Sequence, residues 1–324
     1  MVRIFLKEPI FKIKKNFIQI FSEQLATKII YKKATGKKLN LKEPKNFNEK
    51  IQWLKFNWQH PLLVKCADKY EVRSYVKEKG LENLLNELFG VYNTTRDIDW
   101  DILPQKFVLK TTNGSHTNII VKDKNQIDKV EVVRQLDKWL KKDFGKSNIE
   151  PHYSQMKPKI ICEKFIETTD SHFPDDYKFY CFNGEPLYCQ FMTNRHTDLS
   201  KGMMAIYDMQ WNKIDVIKDK AIDINVAKPN KFEDMINYAR HLSKDFPFVR
   251  VDLYNEGETI IFGELTFTPA AGRWLSVTDS MLDEMGDKLK LPKEKFINYK
   301  KRKFKYEYLN FWSWICWSSQ RFIT

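Results

Sequence analysis

Residues 248–268 read FVRVDLYNEGETIIFGELTFT. Two runs rich in β-branched and aromatic residues flank Asn255–Gly257, which predicts a β-hairpin. Strand side chains alternate between faces. Arg250 and Asp252 therefore share one face of the first strand, and Glu264 and Thr266 share one face of the second. Val249, Val251, Leu253, Ile261, Phe262 and Leu265 fit a hairpin anchored on a core. Two carboxylates opposed across a hairpin repel unless a positive charge lies between them. Mg2+ bound to substrate phosphates commonly takes one or two carboxylates plus water, so Asp252 and Glu264, with Thr266 beside them, are candidate metal ligands. A solvent-facing charged strand pair is the alternative reading.

Working outward, YKFYCFNGEPLYCQFM (177–192) predicts a second hairpin around Asn183-Gly184, and MMAIYDMQWNKIDVI continues in the same style. KFVLK (106–110) and NIIVK (118–122) are short β-rich runs joined by TTNGSHT, and KPKIICEKFIE (157–167) is a strand leading into a turn. Helical patterns occupy the rest. Residues 1–34 carry apolar side chains at three- and four-residue spacings with Lys and Arg between them. Asn48–Trp58 follows a cap at Asn46 or Asn48, and Asp68–Lys79 stops at Gly80. Ile127–Phe144 reads as an amphipathic helix, Phe232–Lys244 as helical, and a basic helix from Lys293 ends in NFWSWICWSSQRFI. The sum is an α+β protein: a mainly helical region over 1–90, two β-rich lobes over 91–166 and 167–292, and a basic aromatic tail over 293–324.

Composition narrows the chemistry. The chain has 324 residues, 42% hydrophobic and 30% charged, which suits a globular enzyme. No apolar run approaches the roughly 18–20 residues that span a bilayer, and lysines interrupt the apolar N-terminus, so no export signal is expected. Cys66, Cys162, Cys181, Cys189 and Cys316 are dispersed, with no zinc spacing, which predicts a reducing cytoplasm and no disulfide framework. The net charge of +13 calls for an anionic partner, without choosing among nucleotide, polyanionic polymer, membrane surface and nucleic acid.

Three further places could meet such a partner. Lys110 ends a strand just before a loop containing Gly114 and Ser115; its ammonium could lie on phosphate oxygens that backbone N–H groups also cover. A surface lysine before a hairpin turn is the other reading, and no G-x-x-x-x-G-K-[ST] loop is present. IICEKFIE (160–167) ends in Glu163, Lys164, Phe165 and Ile166, where a strand end could present backbone groups to a purine edge. Lys178 and Arg195 fall on neighbouring strands, a repulsive pair without an anion between them.

The order of these segments resembles the ATP-grasp superfamily, and in detail its TupA-like branch, found with bacterial surface-polysaccharide synthesis. PKNFNEKIQWLK, ADKYEVRSYV, LPQKFVLK, DYKFYCFNG and VDLYNEGETIIFGELTFTPAAG carry the resemblance, over about residues 35–275. It implies an ATP-grasp fold with ATP between two β lobes. Lys69 and Lys110 would touch phosphates, Glu163–Ile166 would meet adenine, and Asp252 and Glu264 would hold Mg2+. Arg250 would face the acceptor or the transferred phosphoryl group, with Lys178 and Arg195 adding positive charge. Thr266 stands where many relatives have Asn. His116, in the NGSHTN loop, is either a displaced counterpart of a family histidine or a loop residue.

The implied activity is a cytoplasmic carbon–nitrogen ligase joining a small amine to an anionic carbohydrate, a uronic-acid polymer or its precursor, with no nucleic acid involved. Rival readings are a glycosyltransferase, a phosphotransferase, and a basic protein that binds membranes or polyanions. The first helix and the tail (Phe311, Trp312, Trp314, Trp317) offer peripheral membrane contact, with packing against the body as the alternative.

Overall fold

The hairpin forms at the predicted place. Phe248–Glu256 (β8) and Thr259–Thr266 (β9) pair antiparallel, setting Arg250 opposite Thr266 and Asp252 opposite Glu264. Gly257 supplies the positive φ of the turn, and the Asn255 side-chain amide donates to the carbonyls of Gly257 (2.8 Å) and Thr259 (3.2 Å). The computed structural model describes residues 22–168, 173–193 and 202–296. The first 21 residues, Arg195 and the tail from 297 onward lie outside the described residues.

Two antiparallel sheets form an α+β fold. Leu88–Tyr92 (β1), Phe107–Thr111 (β2), Asn118–Val121 (β3) and Ile160–Lys164 (β4) make a four-stranded sheet in the order β1-β4-β2-β3. Asp176–Phe182 (β5), Glu185–Thr193 (β6) and Met203–Tyr207 (β7) join the hairpin in a five-stranded sheet, β7-β6-β5-β8-β9. Asn183 and Gly184 both take positive φ at the β5–β6 turn, as a two-residue hairpin favours. A mainly helical region precedes the sheets: Glu23–Thr35 (α1), Phe47–Asn57 (α2), Pro61–Ala67 (α3) and Val72–Glu78 (α4).

Each sheet is half-covered by an amphipathic helix. Lys129–Leu140 (α5) buries Val132 and Leu136 against Phe107, Leu109, Val121, Ile160 and Cys162 of the smaller sheet. After the short helix Phe144–Asn148 (α6), Phe232–Ser243 (α7) presents Phe232, Met235, Ile236, Ala239 and Leu242 to the larger sheet. The opposite face of the larger sheet is covered at one end by α2. The buried Phe47 ring there meets those of Tyr180, Phe182, Phe248 and Trp274 at centroid distances of 6.0, 6.0, 5.0 and 6.5 Å. Asp279–Lys288 (α8) packs against α2 from the outside.

Local chemistry shifts some expected boundaries. The side chain of Asp68 accepts from the amides of Tyr70 (2.8 Å) and Glu71 (3.0 Å), a local turn that delays the expected helix until Val72. The helix expected over 127–144 runs from Lys129 to Leu140, capped by Asp128; Asp143 then caps α6 separately. Strand β1 carries Gly90 and reads poorly alone; its pairing with the edge of β4 makes it a strand. No helix among the described residues is long and apolar enough to cross a membrane.

Candidate active site

The free face of the larger sheet carries a row of polar side chains. Register sets Gln190 of β6, Lys178 of β5, Asp252 of β8 and Glu264 of β9 abreast of one another. Two residues along, Tyr188, Tyr180, Arg250 and Thr266 form a parallel row on the same face. The predicted hairpin carboxylates thus meet, and β5 adds Lys178 beside them.

The rows are tied together by charge. Arg250 grips Asp252 in a bidentate pair, Nε to Oδ1 and a terminal nitrogen to Oδ2, both 2.6 Å. The same terminal nitrogen donates to Thr266 Oγ1 (3.1 Å) and Glu264 Oε1 (3.3 Å). Lys178 Nζ donates to Asp252 Oδ2 (2.8 Å) and Asp176 Oδ2 (2.5 Å). Thr266 Oγ1 donates to Glu264 Oε1 (2.8 Å). Burial pushes the Asp252 carboxyl up while Arg250 and Lys178 pull it down. Burial pushes Glu264 up as well, but Lys69, Arg250 and Lys178 outweigh it and bring the group to about 2.

That depressed value has a stability consequence. A carboxyl lowered from 4.5 to about 2 adds stability that is complete above pH 4.5 and lost as pH falls toward 2. Solvent screens the effect, because the Glu264 side chain remains 42% exposed.

The smaller sheet contributes a second charged cluster. Lys110 on β2 donates to Glu163 Oε2 on β4 (2.7 Å), and Arg73 of α4 donates to Glu163 Oε1 (3.2 Å). Two cations thereby share the Glu163 side chain. At Lys164 the amide donates to the Glu87 carbonyl (2.9 Å), and the carbonyl accepts from the Asn86 side chain (2.8 Å). Phe165 and Ile166 follow where the strand ends, both half-buried.

Lys69 joins the clusters. Its Nζ donates to the carbonyl of Gly114 in the β2–β3 loop, and its amide donates to the Thr112 carbonyl (3.2 Å). Burial lowers the Lys69 pKa, Glu264 of the larger sheet raises it, and Lys110 of the smaller sheet lowers it. The ammonium is therefore within electrostatic reach of charges on both sheets. Gly114 lies flat on Phe144: a Cβ there would come within 2.8 Å of that ring. Ser115 and His116 stand exposed at the loop tip, with His116 at φ 58°.

Residues that sequence reasoning missed complete the surroundings. Asp176 lies two positions before Lys178, so strand alternation alone could have placed it. Arg73, Glu150, His152 and Tyr153 come from outside the sheets and gave no sequence signal. Thr268 donates to Glu150 Oε1. The Tyr153 phenol is raised by burial and by Glu150 and Glu264, and it also senses Arg250 and Asp252.

His152 is buried with Nε2 lacking a partner among the described residues, and burial, helped by Lys55, lowers the imidazole to about 3. Folded His152 thus stays neutral where an unfolded chain, at 6.5, takes a proton; the stability is complete above pH 6.5 and declines below it. The expected slope is about 1.4 kcal/mol per pH unit. Urea unfolding at pH 7.5 and 5.0 should show wild type losing about 2 kcal/mol more than His152→Gln.

A divalent cation fits this donor set in one way. Asp252 has both oxygens committed to Arg250 and Lys178, whereas Glu264 Oε2 enters no hydrogen bond among the described residues. Among the described residues no group of three or more metal-binding side chains occurs. One open and one committed carboxylate suit Mg2+ completed by phosphate oxygens and water, not an all-protein cage.

The α+β fold of two antiparallel sheets and the matching family model put the chain in the ATP-grasp class. The family model for TupA-like ATP-grasp proteins matches residues 49–290, and the chain belongs to that family. Comparison with curated protein sequences found no match. Among solved structures, an L-amino acid ligase from Bacillus licheniformis is similar at 15% identity and TM-score 0.43, covering 73% of this chain and 52% of that one. A D-alanine-D-alanine ligase from Helicobacter pylori is similar at 14% identity and TM-score 0.43, covering 77% and 68%. The chain thus spans about half the length of the first of these.

Proposed function

We propose that this chain is an ATP- and Mg2+-dependent carboxylate–amine ligase. Its acceptor in this reading is a uronic-acid-containing surface polysaccharide or precursor, decorated with an amino acid or amino alcohol. The carrying observation is the row Lys178–Asp252–Glu264 with Arg250 alongside, together with Lys69, which is within electrostatic reach of Glu264 and donates to the loop that follows Lys110. Family membership supports the same chemistry. The +13 charge is consistent with a polyanionic acceptor.

ATP, when bound, supplies the phosphoryl group that converts a carboxylate into an acyl phosphate, from which an amine displaces phosphate. The protein's part is positioning and charge. Glu264 and Asp252 would hold Mg2+, Glu264 through its open oxygen. Lys69 and Lys110 would lie on phosphate oxygens, with Lys110 exchanging its pairing to Glu163 for the nucleotide. Arg250 and Lys178, already fixed by Asp252, would face the transferred group without reorganising. The two β lobes would exclude water from a carboxylate activated between them.

Isothermal titration of Mg-ATP tests the site. Wild type should bind in a magnesium-dependent manner, and Asp252→Asn/Glu264→Gln should not. Wild type should then release ADP when given uronates together with amines. A well-folded wild type that fails to bind Mg-ATP would sink the ligase reading.

A further inference from the structure

Immediately beyond β9 the backbone does something costly. Ala270 (φ 49°), Ala271 (φ 51°) and Gly272 (φ 70°) are consecutive left-handed residues, a conformation that a Cβ disfavours and that persists only when its surroundings enforce it. The enforcement comes from one face of α2, at positions four and three residues apart. Asn48 exchanges two hydrogen bonds with the backbone of Trp274, donating to its carbonyl (3.1 Å) and accepting from its amide (2.9 Å). Gln52 Nε2 donates to the carbonyls of Ala271 and Gly272, both at 2.9 Å. Lys55 Nζ donates to Gln52 Oε1 (3.0 Å), fixing that amide in turn. The approach is close enough that a Cβ on Gly272 would lie 2.7 Å from Gln52 Nε2.

The residue this clamp holds between Gly272 and Trp274 is Arg273. Its guanidinium is half-buried and enters no hydrogen bond or ion pair among the described residues. Burial works against its charge, and the nearby Glu150 offsets this only in part. A five-donor cation left partly desolvated and unpaired is an arrangement that an incoming anion completes. Its location is tied to the end of β9: Glu150, the carboxylate near Arg273, accepts from Thr268, two residues past Thr266.

We propose that Arg273 recognises a carboxylate of the acceptor other than the one being activated, with Asn48 and Gln52 acting as positioning residues through the left-handed turn. This rests on the ligase reading and adds a substrate feature to it: the acceptor carries more than one acidic group. A planar carboxylate is the anion that a guanidinium fork receives bidentately. Repeated acidic units would place a second carboxylate near the reacting one.

Tetragalacturonate is the probe, titrated into wild type, Arg273→Gln and Gln52→Leu, each in the presence of Mg2+ and a non-hydrolysable ATP analogue. Arg273→Gln should weaken tetragalacturonate binding about tenfold or more, the worth of a charge-assisted hydrogen bond. Gln52→Leu should weaken it as well, through the released turn. The Arg273 guanidinium donates no hydrogen bond among the described residues and interacts only with Glu150 at a distance, so its variant should melt close to the wild-type temperature, which separates recognition from misfolding. Equal tetragalacturonate affinity of wild type and Arg273→Gln overturns the proposal, as does a wild type that binds Mg-ATP but not the oligosaccharide. Failure to bind Mg-ATP at all would instead defeat the ligase reading beneath it.

Discussion

Arg250→Met is expected to lower folding stability by about 3–5 kcal/mol, the cost of leaving a buried ion pair with one partner. Asp252 is almost wholly buried, and Arg250 supplies two of its three charge-assisted hydrogen bonds. Lys178 would remain with one hydrogen bond to Asp252, so the lower end of that range is the better expectation. Chemical denaturation at neutral pH measures the loss. Adding Asp252→Leu to the first change removes the stranded carboxylate, and most of the stability should return, because apolar replacement of a whole buried pair is often neutral. Mg-ATP binding should stay lost in the double variant. Stability that returns while binding does not would separate the role of this pair in folding from its role in the proposed site.

Phe47→Ala should cost a similar amount, about 3–5 kcal/mol, for a different reason. The ring is fully buried and packs against Tyr180, Phe182, Phe248 and Trp274, which belong to two strands and the segment after the left-handed turn. Truncation leaves a cavity among rigid aromatic rings that cannot collapse into it. Because Tyr180 lies abreast of Arg250, slack there should also loosen the charged rows. Thermal unfolding reads the first effect. A rise in the hydrogen exchange of β8 amides relative to those of the smaller sheet reads the second.

The hairpin at 248–268 was legible because every signal in it agrees. Alternation and turn residues point to the hairpin and to the shared faces within each strand, but regular pairing from the turn would set Asp252 opposite Gly263; a register shift between Asp252 and Leu253, which the sequence did not announce, sets it opposite Glu264. The Asn183-Gly184 turn was legible for the same reason, since few residues other than Asn and Gly accept its two positive φ angles. Strand β1 and the start of α4 were not. The first depends on an edge offered by β4, the second on a side chain that captures two amides before a helix can form. Lys178 also lies between Asp176 and Asp252, which its own segment does not announce, because register with β8 brings a carboxylate from 74 residues away.

By itself the sequence determined what is local and periodic: the hairpins, the amphipathic faces of α5 and α7, and the shared face of Arg250 with Asp252 and of Glu264 with Thr266. These depend on interactions between near neighbours and on the two-residue period of a strand. Only the tertiary structure decided which distant charges meet. It laid Lys69 on the carbonyl of Gly114, gave Glu163 to Lys110 and Arg73, and laid Asn48 and Gln52 on a turn more than two hundred residues later. Such pairings carry no sequence period. They arise because burying a charge or a backbone carbonyl is tolerated only where the packed fold supplies a partner.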